Sequence, residues 1–477
     1  MHSSKLESVV SALVLGAFAA GCGAAAPDEN ESTTTSELSS SHGLSMTGSS
    51  NLTSVQADGS EFIDGSFTLT NNTGSAVTLN RSLLLFGTPG GFSYSVGDWI
   101  AQTGSFFGIG PNLSAATTPY YSPFNWNWSV PVTDQFYRLD ATNAAGPLKT
   151  TLSLPVLRSG FAAPPPSVFG PDTVIGLQTP IEVVKLTTGE HWLSVVGQVI
   201  ETTATAFNYP DATAKILDAQ GKVISTEPLY PQGGIAPLWP IFGAEALPVG
   251  AVPATLRVDA SITVGSTLKK VTRTVPIVSA SPVALSAPIS GRWLWNNGQG
   301  ENVYHTHFQF PEQRYAYDLL IEKTVSGFVQ SYSGDPSVNT SYFAFGKPVH
   351  AALAGTVVEV VDDVPDNFGN QWNFANDNPR RNSHVIVQSA GGIYTMYLHV
   401  RQGSALVQAG QTVHAGQVLA QVGNAGYTTE PHLHFAVFKL DASGRVRALP
   451  INVNGLKNTS GTAVSGVPQG AVEFVSP

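Results

Sequence analysis

The sequence predicts an all-β, multidomain protein, with two β-sandwich-like modules followed by a third domain built on an antiparallel β-sheet. Three observations carry that expectation. Only 12% of the 477 residues are charged, few for long surface helices, while 47 Gly and 32 Pro supply many turns. Apolar runs are short and rich in β-branched residues, with Asn, Gly and Pro between them. The last third of the chain contains no persuasive amphipathic helix. A chain of this length can hold about two to four domains, each with its own core.

Residues 1–22 read as an export signal. Lys5 precedes an apolar stretch from Val9 to Ala20, and the run ends in Ala19-Ala20-Gly21-Cys22. That stretch is too short to span a bilayer comfortably. Cys22 is the only cysteine, so no disulfide within the chain and no cysteine metal cluster can form. Its setting resembles the bacterial lipoprotein signal, in which the cysteine becomes the lipidated first residue, although Ala19 matches less well than the usual Leu. The resemblance implies a membrane anchor on Cys22, and Gly23 after it points to the outer membrane of a Gram-negative bacterium. Plain secretion is the alternative. Residues 23–50 are poor in large apolar groups and are expected to form a disordered tether.

Residues 51–160 should form the first module. Phe67-Thr68-Leu69-Thr70, the turn-forming Asn71-Asn72-Thr73-Gly74 and then Ala76-Val77-Thr78-Leu79 have the spacing of a sandwich. The aromatic segment from Tyr120 to Trp128 fits a sandwich core or seam, or else a platform for glycan or peptide. Pro164-Pro165-Pro166 marks a stiff boundary within a second β-rich module at residues 161–283. His191 to Ile200 and Ala254 to Ala260 read as strands there. The stretch from Pro228 to Pro248 should be a loop or edge excursion, because proline cannot serve a central ladder. Residues 284–456 form the third domain, with residues 457–477 as a tail. Asp362 to Arg381 should be a polar insertion at its rim.

The chemistry is concentrated in that third domain. In Pro431-His432-Leu433-His434-Phe435 the imidazoles at i and i+2 share one strand face. Upstream lie His307, Asp318 and His399. With no cysteine in this region, His and carboxylate must supply any metal ligands, and this set suits Zn²⁺ with a neighbouring base. A buried imidazole has to satisfy both ring nitrogens, which makes a histidine pair expensive as mere filling. Net charge is −10, from 23 basic and 33 acidic side chains, which argues against a nucleic-acid partner.

Several ordered motifs resemble the lysostaphin-like, LytM-type zinc metallopeptidases of family M23. They are Gly346 to Val357, Tyr397-Leu398-His399-Val400, Gly410-Gln411-Thr412-Val413, Gly416-Gln417 and the run from Val422 to Phe435. The resemblance covers residues 292 to 453. It implies the lysostaphin-like duplicated hybrid motif and one Zn²⁺ per chain, with His434 and Asp318 as ligands. It makes His399 and His432 the catalytic histidines, which activate the water and stabilise the tetrahedral intermediate. The common family pattern has its first histidine ligand four residues before the aspartate, where this chain has Arg314. In a branch with that ligand displaced upstream His307 fits best, with His305 as the second choice. Tyr397 would be a further donor or a core aromatic. Glu430 could support a ligand from behind, and His350 and His414 read as packing or surface residues.

The implied activity is a monomeric zinc endopeptidase cutting peptides of peptidoglycan or another polypeptide at the cell envelope. A non-catalytic wall-binding or amidase-activating lipoprotein is the competing expectation, favoured by Arg314 at the usual ligand position.

Overall fold

The computed structural model describes residues 43–477 except 56–60, 88–92, 99, 101–102, 104, 108, 116–119, 129–133, 157–172, 178–179, 202–209, 232–237, 249, 302–306, 308–312, 371–381 and 441–445. The expected signal, Cys22, residues 23–42 of the tether, the triple proline, His305 and half of the expected rim insertion therefore lie outside the described residues. The rest of the expected tether is not disordered: Leu44–Val55 is a strand whose Leu44 and Met46 are buried in the core. No described helix is long and apolar enough to cross a membrane.

The described architecture is all-β. Near the amino end, Leu44–Val55, Glu61–Asn71 and Tyr120–Trp128 form a three-stranded sheet. A second sheet contains Val77–Gly87, Ser93–Asp98, Asp134–Asn143 and Gly146–Pro155, with a short strand at Asn112–Leu113. Period-two alternation sorts the residues of Val77–Gly87 between two partners. Leu84 and Phe86 join Phe67, Phe106 and Tyr137 in the local core. Leu83 and Leu85 pack with Phe136 against Ile200 of the next module. Tyr121 of the aromatic segment is exposed, and the side chains of 122–128 are outside the described set.

The middle module is one eight-stranded sheet. Ile181–Lys185 pairs in parallel with Thr267–Ser279 and antiparallel with His191–Glu201, and so closes the sheet into a ring. This is the barrel variant of the sandwich-like arrangement expected, and it hides the edges that an open sheet would leave unpaired. The proline-rich stretch is not a loop excursion. Val223–Pro231 and Leu238–Leu247 are strands, with Pro240 opposite Gln198. Among the described residues those two strands pair at Tyr230–Phe242 and Pro231–Ile241.

The third domain is organised by a ten-stranded sheet. Its central strands run in the order Gly355–Val361, His384–Ser389, Ile393–Leu398, Leu433–Leu440, Tyr317–Leu320, Gly291–Asn296 and Val472–Ser476. Residues 457–477 are therefore not a tail: Val472–Ser476 pairs along Gly291–Trp295 and contributes Phe474 to the core. One face of the sheet buries Trp295, Tyr317, Tyr397, Leu433 and Phe435. Each such side chain stabilises the fold by about 1.5–3 kcal/mol.

The middle module docks beside this sheet through a polar and apolar seam. Glu182 accepts from Tyr315 Oη at 3.0 Å and pairs with Arg447 Nη2 at 2.7 Å. Val184, Leu186, Tyr315, Ala448 and Val467 pack around that carboxylate.

Candidate metal centre

Register builds the site. Across the sheet, Asp318 lies directly opposite His434, His434 opposite Leu398, and Leu398 opposite His384. Directly paired residues share a face, so Asp318 and His434 project together, away from the aromatic core. His434 Nδ1 is 3.0 Å from Asp318 Oδ1. His432, two residues earlier on the same face, places Nε2 at 3.3 Å from that oxygen. His307 arrives from the loop after Gly291–Asn296, with Nε2 3.5 Å from Asp318 Oδ2. The rings of His399 and His432 stand 4.8 Å apart, and those of His307 and His434 4.9 Å.

His399 reaches the cluster by a backbone device. It follows the strand Ile393–Leu398, and continued alternation would point it into the core. A left-handed φ of 62° turns it back to the Asp318 face. Its Nδ1 lies 3.0 Å from the Ala425 carbonyl, and His432 Nδ1 lies 2.9 Å from the Glu430 carbonyl. A carbonyl only accepts, so both Nδ1 atoms carry a proton, and each ring turns its Nε2 to the site.

The loop that delivers His432 is pinned by amides. Asn367 Nδ2 donates to the carbonyls of Gly426 and Thr428, and Thr428 Oγ1 donates to that of Glu430. Gly426 has φ +93°, and a Cβ there would come within 2.2 Å of Asn382 Oδ1, so only glycine fits.

Electrostatics follow from this crowding. Burial works to raise the Asp318 carboxyl, but the imidazoles, His307 and His432 foremost, outweigh it and hold it well below the usual carboxylate range. Burial pulls His307 down to about 4 despite Asp318. Burial, reinforced by His432 and His434, keeps His399 far below its ordinary value and therefore neutral. Burial also acts to lower His432, but the contact with Asp318 prevails and raises it.

His307, Asp318 and His434 offer ligand atoms that lie within 4.8 Å of one another, and this cluster can coordinate a divalent metal ion. Two imidazoles and a carboxylate form a donor set with room for further ligands. Arg314 is directed elsewhere: its Nη1 donates to the Pro180 carbonyl of the middle module at 3.1 Å. Tyr397 is fully buried, accepts from the Ala352 N–H and donates to Thr395 Oγ1, so it is a core residue. The Glu430 side chain accepts from Ser331 Oγ at 2.6 Å, and its backbone carbonyl accepts from His432 Nδ1. His350 Nδ1 meets the Gly416 carbonyl and His414 is exposed, both in the part of the domain away from the cluster. A residue the sequence reading missed is Asn297, whose Nδ2 donates to Asp318 Oδ2 at 2.7 Å. No spacing rule signals it.

Residues 340–446 match the profile of peptidase family M23, so the carboxyl-terminal part of the chain contains an M23-family peptidase domain. The match spans His399, His432 and His434 and starts after His307 and Asp318. Among curated relatives, an uncharacterized metalloprotease of Haemophilus influenzae is 30% identical over 152 residues, 31% of this chain and 27% of that protein. The peptidoglycan DD-endopeptidase ShyA of Vibrio cholerae is 30% identical over 107 residues, 22% of this chain and 19% of its own length. The chain thus spans between 19% and 27% of the length of these relatives. The catalytic domain of lysostaphin from Staphylococcus simulans is 24% identical, covering 25% of this chain and 85% of that one, with a TM-score of 0.16.

Proposed function

We propose that the chain is a zinc metalloendopeptidase that hydrolyses peptide bonds in peptidoglycan cross-links or stems at the bacterial cell envelope. The observation that carries this reading is the convergence of His307, His399, His432 and His434 on the single buried carboxylate of Asp318. His307, Asp318 and His434 are the ligands. Bound there, Zn²⁺ supplies the charge that acidifies a water molecule and polarises a carbonyl.

The remaining work belongs to His399 and His432. Each is fixed by its Nδ1 bond to a backbone carbonyl, so neither ring can rotate away from the site. One Nε2 accepts the proton of the attacking water. The other imidazole enters the step with an Nε2 proton taken from solvent and donates a hydrogen bond to the oxyanion of the tetrahedral intermediate. The proton taken from the water passes to the leaving amine as the C–N bond breaks. The substrate class is supported by the named activity of the ShyA relative. We further assign an envelope location, with Cys22 as the lipidated anchor and the residues between it and the strand Leu44–Val55 as the tether. Residues 51–160 and 161–283 are then carrier modules for a peptidase domain that starts at residue 284.

The test is elemental analysis of protein lacking residues 1–22, with His307→Ala and His305→Ala beside it. About one zinc per chain, lost only in the His307 variant, is expected, together with release of peptide fragments from peptidoglycan. A parent protein that holds no zinc, and takes none up on readdition, overturns the reading.

A further inference from the structure

Two strands of the metal-site sheet end in a polar residue with a left-handed backbone. Ile393–Leu398 gives way to His399, and Gly291–Asn296 gives way to Asn297 at φ 56°. Asn296 is paired with Asp318, so an extended residue 297 would project to the opposite face, beside Trp295 and Tyr317. The left-handed step brings the Asn297 side chain back to Asp318. Asparagine is among the few residues that adopt this conformation at low cost.

What Asn297 does there is specific. Its Nδ2 lies 2.7 Å from Asp318 Oδ2, and because a carboxylate only accepts, the amide must present its NH₂ group. Its backbone carbonyl accepts the His307 N–H at 3.3 Å. One residue therefore holds both the carboxylate and the backbone of the displaced histidine. The next residue locks the turn in place: a Cβ on Gly298 would lie 2.2 Å from the Tyr317 ring, and the Gly298 N–H donates to Glu301 Oε1.

We propose that Asn297 is a positioning residue of the metal centre, whose amide fixes the rotation of the Asp318 carboxylate while its carbonyl fixes the approach of His307. In the usual ligand spacing a histidine and an aspartate four residues apart belong to one continuous segment. Here the histidine lies eleven residues before the aspartate, on the loop between Gly291–Asn296 and Tyr317–Leu320, and Asn297 at the start of that loop ties it to the carboxylate. This inference rests on the metal reading above and adds to it a residue that touches a ligand but not the substrate.

The experiment measures zinc affinity of the full mature protein by competition with a chromogenic chelator. Asn297→Gly keeps the left-handed turn and removes the amide. Asn297→Asp keeps the shape and replaces the donor with a second carboxylate. Both should bind zinc about 10–100-fold more weakly than the parent, as losses of groups that orient ligands do. The thermal midpoint of the zinc-free protein should stay close to the parent's. Parental zinc affinity in the glycine variant overturns the proposal. So does a loss of zinc in both variants that accompanies collapse of the zinc-free fold, which makes Asn297 merely structural. A parent that binds no zinc at all instead overturns the proposed function, so the two failures are distinguishable.

Discussion

Two histidine–carboxylate pairs lie on the same face of one sheet, and among the described residues only one of them belongs to a cluster that can hold a metal ion. His384 Nε2 is 3.3 Å from Glu359 Oε1, and His434 Nδ1 is 3.0 Å from Asp318 Oδ1. Leu398 separates the two histidines in the row across the strands. His434 Nδ1 is bonded to its carboxylate, whereas His384 is fixed by Nδ1 on the Asn382 carbonyl and its Nε2 makes no hydrogen bond to Glu359. The difference is what arrives from outside the sheet. Loops and strand ends bring His307, His399, His432 and Asn297 to Asp318, and nothing comparable among the described residues reaches Glu359. A strand pair supplies the platform, and the converging loops turn it into a site.

That contrast can be broken most severely at its centre. Asp318→Ala and His434→Ala should each reduce zinc from about one per chain to near none and abolish peptide release, measured by elemental analysis and a peptidoglycan digest. Retention of zinc by either would mean the ligands lie elsewhere. Next in size, His399→Ala and His432→Ala should keep zinc and lower kcat by about 10²–10⁴-fold, the range for removal of a general acid or base. Zinc loss in these variants would merge the two roles.

The other pair supplies the control. His384→Ala should leave zinc content and turnover at parental values while lowering unfolding free energy by about 1–3 kcal/mol, because a buried imidazole and its bond to the Asn382 carbonyl are lost. Denaturant titration checks this, and a drop in zinc would show that the pairs are coupled across Leu398.

The smallest effect sharpens what imidazoles do for a buried carboxylate. Glu301 has backbone donors but no imidazole against it, and burial pushes it up to about 7. Its folded value lies above the unfolded one of about 4.5. The folded chain therefore binds the extra proton between those values, and stability present at lower pH is lost as pH rises through about 7. Glu301→Gln cannot ionise, so its denaturant midpoint should fall less between pH 5 and 8 than the parent's. An identical decline in both proteins would assign the slope to other groups.

Much of the site was legible because its motifs are local. His432 and His434 share a strand face by period two, and Asp318 and His399 stand in recognisable short runs. His307 was legible only as one of two upstream candidates, since a loop carries no periodicity. Arg314 pointed to a degenerate centre when read by spacing alone. In the fold its guanidinium serves the seam with Pro180, and His307 comes to the carboxylate instead. Asn297 was invisible, because its role depends on one left-handed φ at a strand end.

The sequence by itself determined the all-β class, the short strands and the identity of the donor groups, since these follow from propensity, alternation and side-chain chemistry. Only the tertiary structure decided the closure of the middle sheet by Ile181–Lys185, the recruitment of Val472–Ser476 beside Gly291–Asn296 and the meeting of His307 with Asp318. The first two are contacts between segments far apart in the chain, and the third depends on the path of a loop. Such events are fixed by the packing of the whole domain, which no local pattern encodes.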